Sequence, residues 1–111
     1  MIKTVTLLMI ATLLIFSTAR AGQSSIKFAG GPGDSPDNAV IIKGAPNSVA
    51  GIQAESQYLQ QRFGQENNKW RMFKKDLIQT DGKTFEVITI EMAGGAKRDI
   101  YFDISGFFGK Y

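Results

Sequence analysis

The chain has 111 residues, with 13 Lys and Arg against 10 Asp and Glu, and it contains neither His nor Cys. The missing His removes the commonest general base and zinc ligand, and the missing Cys removes disulfides, thiolate nucleophiles and lipidation through sulfur. No cofactor is expected, because no Gly-rich phosphate loop or metal-ligand spacing occurs.

Residues 1–21 place Lys3 before an apolar run from Val5 to Phe16 and end in Ala19-Arg20-Ala21. This is the pattern of a secretory signal peptide cut after Ala21. The apolar run is shorter than the ~20 residues a bilayer span requires, so no stable membrane span is expected after cleavage. The expected location is the periplasm or the outside of the cell. An exported chain without Cys fits a bacterial envelope better than a disulfide-dense secretion product. Removing residues 1–21 takes away Lys3 and Arg20 and leaves eleven basic and ten acidic residues, a net charge of +1. Such a balance lacks the basic stripe that phosphate backbones require, so nucleic acid is not an expected partner.

Residues 22–38 carry AGGPGDSPDN, whose Gly, Pro, Asp and Ser content predicts a flexible leader. Residues 39–111 then predict a single small α+β domain. Ala39 to Lys43 is a short β-branched strand ended by Gly44. Pro46 with Asn47 or Ser48 begins a helix through SVAGIQAESQYLQQRF, and Gly64 stops it. The apolar positions Val49, Ile52, Leu59 and Phe63 predict its buried stripe. Gln53, Glu55, Gln57, Gln60 and Gln61 predict the solvated one.

Three further strands follow, Trp70 to Gln79, Thr84 to Met92 and Lys97 to Ile104, separated by Asp81-Gly82 and Gly94-Gly95. Both dipeptides are two-residue hairpin signals. The predicted architecture is strand, helix, then a three-stranded antiparallel meander, with one helix packed on a four-stranded sheet.

Two-residue turns set a register in which Ile78 faces Phe85, Phe73 faces Ile90, Val87 faces Phe102 and Ile88 faces Tyr101. Alternation then sends Trp70, Met72, Ile78, Phe85, Val87, Ile100, Phe102 and Ile104 to the helix. The opposite face collects Phe73, Leu77, Ile88, Ile90, Met92 and Tyr101, rimmed by Arg71, Lys75, Glu86, Lys97, Asp99 and Asp103. The aromatic tail Phe107-Phe108 either covers that face or extends it.

An apolar centre inside a mixed-charge rim is the composition of a protein-binding surface. The expected function is therefore that of an exported, non-enzymatic protein-binding or accessory module. Its partner would be another envelope or extracellular protein, or a second copy of the chain. The binding residues would be Phe73, Ile88, Ile90, Met92, Tyr101, Phe107 and Phe108, with Arg71, Lys75, Glu86, Asp99 and Asp103 at the rim. The alternative is a small-ligand or cation-binding domain in which Glu86 and Asp103 face each other as an acid pair beside Tyr101. A hydrolase has the weakest support, since no Ser lies in a Gly-x-Ser-x-Gly or Ser-x-x-Lys setting.

Overall fold

The computed structural model describes residues 25–111, so the expected signal peptide lies outside the described residues. Five strands, one α-helix and a 3-10 turn follow in the order β1 (Lys27–Gly30), 3-10 turn (Pro36–Asn38), β2 (Val40–Lys43), α1 (Ser48–Phe63), β3 (Trp70–Thr80), β4 (Lys83–Met92) and β5 (Lys97–Asp103). They form a small α+β fold whose single sheet has the strand order β1-β2-β5-β4-β3. β2 and β5 run parallel, and the other neighbours are antiparallel.

The sheet is thus five-stranded and mixed, where four strands were expected. The extra strand comes from the Gly/Pro-rich leader. Lys27 to Gly30 pairs with Val40 to Lys43, and the Phe28 ring lies 5.3 Å from that of Tyr58 on α1. The glycines there serve close packing. Gly30 has φ +80°, and a Cβ at that position would collide with the carbonyl oxygen of Ala39; only Gly combines that φ with that approach. The Gly33 carbonyl accepts the Tyr101 N–H at 2.7 Å, which ties the leader to β5.

α1 begins and ends at the expected residues for the expected reasons. The Asn47 side chain accepts the Ala50 N–H at 2.9 Å as an N-cap, and Gly64 closes the helix with φ 99°. Its buried face, however, is turned by roughly a quarter turn from the predicted stripe. Gly51, Ala54, Glu55 and Leu59 are buried, whereas Val49 is 65% and Ile52 49% exposed. The cause is close approach. A Cβ on Gly51 would overlap the ring of Phe107, so small residues let the helix settle on the C-terminal turn. The Ser48 N–H donates to the Lys110 carbonyl at 2.7 Å and fixes that turn against the helix start.

The first hairpin has the expected two-residue turn, with Thr80 opposite Lys83 and positive φ at Asp81 and Gly82. The second is one residue longer. The Met92 N–H donates to the Ala96 carbonyl, leaving Ala93, Gly94 and Gly95 as a three-residue loop with Gly95 at φ +98°. One extra residue shifts the pairing by one and exchanges the faces of β4. Val87 accordingly pairs with Tyr101, and Ile88 with Ile100. Ile88 and Ile90 therefore face the helix, while Ile78, Phe85 and Val87 face away from it. A bulge between Met72 and Lys74 offsets the shift along the start of β3. Trp70 and Met72 consequently face the helix as expected, with Met72 rather than Phe73 opposite Ile90.

The core lies between α1, the C-terminal turn and the sheet. It contains Val40, Ile42, Ala54, Leu59, Trp70, Ile88, Ile90, Ile100, Phe102, Ile104 and Phe107. Each large side chain removed from water there contributes about 1.5–3 kcal/mol before entropy is counted. Among the described residues, no helix is long and apolar enough to cross a membrane.

Candidate functional site

The one-residue shift divides the expected binding residues. Ile88 and Ile90 are fully buried under the helix, and Phe107 is buried beneath Gly51, so none of the three is a contact surface. Met92 is half-buried and packs against the core. Phe73, Tyr101 and Phe108 remain accessible, Tyr101 only partly.

Phe73 projects from the sheet face opposite the helix, where the Lys97 ammonium stands 4.5 Å above its ring and the Arg71 guanidinium 5.9 Å from it. On the same face Arg71 Nε donates to Glu91 at 2.6 Å, and Thr89 Oγ1 donates to Asp99 at 2.6 Å. Tyr101 and then Ile78 follow further along the same face, so a mixed polar and apolar surface exists on the outer face with a different membership from the one expected. Leu77 is accessible as well, but it belongs to the helix-facing side of the overhanging hairpin, directly opposite Glu86.

β3 is an edge strand: within the described residues β4 is its only neighbour in the sheet. The Thr84 N–H goes to Ser105 Oγ at 3.0 Å, and its carbonyl accepts the Ile104 N–H at 2.9 Å. Thr84 therefore has no backbone bond left for Gln79 opposite it. By alternation, the N–H and C=O of Lys75, Leu77 and Gln79 point away from the sheet. That edge carries Leu77, 51% exposed, next to Ile78, 37% exposed.

The acid pair Glu86 and Asp103 is not brought together. Glu86 pairs with Phe102 and faces the helix, while Asp103 pairs with Phe85 on the outer face. Asp103 Oδ1 instead accepts the Ser105 N–H at 3.0 Å. Among the described residues no group of three or more His, Cys, Asp or Glu side chains is placed to hold a metal ion. Depressions at the two ends of the β3–β4 hairpin measure about 250 and 360 Å³, and their only carboxylates are Glu91, paired with Arg71, and the turn residue Asp81.

A different acid pair does form. Glu86 lies beside Glu55, which the Gln-rich pattern places on the solvated side of α1 but which is only 1% exposed. Lys75 Nζ lies 3.8 Å from Glu55 and 4.0 Å from Glu86, so one ammonium serves two carboxyls. Neither carboxyl oxygen of Glu55 has a hydrogen-bond partner. Burial pushes the Glu55 pKa up to about 9, reinforced by the neighbouring Glu86 carboxylate and opposed by Lys75. The signal that could have revealed Glu55 is the small pair Gly51 and Ala54, which marks the buried side of the helix more faithfully than Val49 and Ile52.

No family model matches this chain, and no match is found among the curated proteins or the solved structures.

Proposed function

We propose that this is an exported, non-enzymatic domain that binds another envelope or extracellular protein, or a second copy of itself, through the edge of β3 and the adjoining outer face. The observation that carries this reading is the open edge at Lys75, Leu77 and Gln79, where outward backbone groups coincide with accessible Leu77 and Ile78. An extended segment of a partner can add to such an edge through main-chain bonds, with alternate side chains supplying selectivity. Phe73, Tyr101, Arg71, Asp99 and Lys97 would complete the contact on the outer face.

Substitution at Leu77 tests this reading. Leu77→Pro removes an N–H that points outward and leaves the bonds to β4 in place. The expected result is loss of crosslinking to the envelope partner, or of self-association in light scattering, with sheet content unchanged in circular dichroism. Association that persists undiminished in both Leu77→Pro and Ile78→Lys would overturn it.

A further inference from the structure

Buried polar groups are normally hydrogen-bonded, and among the described residues Glu55 is the one whose buried side-chain oxygens have no hydrogen-bond partner, with Lys75 3.8 Å away as its charge partner. Its carboxyl sits under α1 at the point where the helix passes over the β3–β4 hairpin. The charged groups facing it are Lys75 from β3 and Glu86 from β4; the neighbouring helix-facing positions Ile88, Ile100 and Phe102 are apolar. The cluster thus joins α1 to the β3–β4 hairpin, and its net charge changes by one with a single proton.

We propose that Glu55, Lys75 and Glu86 form a proton-controlled clasp that closes α1 on the β3–β4 hairpin when Glu55 is protonated and releases it when that proton is lost to solvent. In the closed state Glu55 carries its proton and no charge, and Lys75 balances the one remaining carboxylate, Glu86, so the cluster is neutral. Loss of the proton leaves two carboxylates against one ammonium, with the Glu55 carboxyl itself out of reach of water. The favourable response is for the helix to move and hydrate Glu55. The clasp also bears on the outer edge of the sheet, since Lys75 and Leu77 belong to the strand whose edge is open.

The chain contains its own reporter. Trp70 is the only Trp, it is buried, and its Nε1–H donates to the carbonyl of Gly64 at the end of α1 at 2.7 Å. Displacement of α1 therefore exposes the indole and shifts its emission to the red. Emission and amide exchange would be followed from pH 6 to 9.5 in the protein and in Glu55→Gln, whose amide stays uncharged at every pH.

The expected result is a reversible red shift, with faster exchange in α1 and unchanged exchange in β2 and β5, present in the parent protein and absent in Glu55→Gln. Glu86→Gln removes the negative neighbour and should move the midpoint to lower pH. A transition of the same size in Glu55→Gln, a midpoint unmoved by Glu86→Gln, or simultaneous loss of protection in β2 and β5 would each overturn the clasp. The last outcome would mean that Glu55 charges only when the whole domain unfolds.

Discussion

The ring of Phe107 occupies the space that a side chain at Gly51 would need, so it lies directly against the backbone of α1. Gly within a helix ordinarily costs about 1 kcal/mol relative to Ala. At this position the order is reversed. Overpacking a filled core costs about 1–3 kcal/mol, so Gly51→Ala is expected to destabilise the domain by about 1–2 kcal/mol in urea unfolding. Adding Phe107→Leu should restore part of that loss, because the two changes share one volume.

The shifted register makes a sharp distinction between Ile90 and Ile78. Ile90 is fully buried under the helix and Ile78 lies on the outer face. Ile90→Ala should cost about 2–5 kcal/mol through lost transfer energy and a residual cavity. Ile78→Thr should change stability by less than about 1 kcal/mol. Equal effects in chemical denaturation would show that β4 and β3 do not have the faces described above.

The Glu55 titration sets the direction of pH dependence. Its pKa rises on folding from 4.5 to about 9, so between those values the folded state holds a proton that the unfolded state has released. Stability from this group is therefore greatest below about pH 4.5 and falls as pH rises to about 9, at no more than about 1.4 kcal/mol per pH unit. Thermal scans at a series of pH values should show a falling Tm across this window, and Glu55→Gln should remove the fall.

Lys75 opposes that shift, since its ammonium lies 3.8 Å from the Glu55 carboxyl. Lys75→Met should move the Glu55 midpoint to still higher pH, an effect that a carboxylate-specific probe such as infrared absorption of the protonated acid can follow. A midpoint that falls in Lys75→Met would contradict the arrangement.

Trp70 ties the start of β3 to the end of α1 through its bond to the Gly64 carbonyl. Trp70→Phe keeps a ring in the core but leaves that carbonyl without its donor. The expected cost is about 1–3 kcal/mol in equilibrium unfolding, with the last turn of α1 exchanging faster than its centre.

Much of this architecture was legible in the residues alone. Asn47 and Gly64 bound the helix because their side-chain and backbone preferences are local, and Asp81-Gly82 forms its turn for the same reason. The alternation in β5 likewise identified Ile100, Phe102 and Ile104 as core. Tertiary structure decided what depends on counting residues between distant partners or on the shape of a neighbour. A three-residue loop at Ala93–Gly95 and a bulge at Phe73 each change register by one, and neither has a local signature strong enough to separate it from the regular form. Glu55 could be placed only once Phe107 had drawn Gly51 against the C-terminal turn and rotated the helix, carrying a carboxyl from the expected solvent side into contact with Lys75 and Glu86. Periodicity describes how side chains are spaced around a helix, but contact with the rest of the fold determines which side is buried.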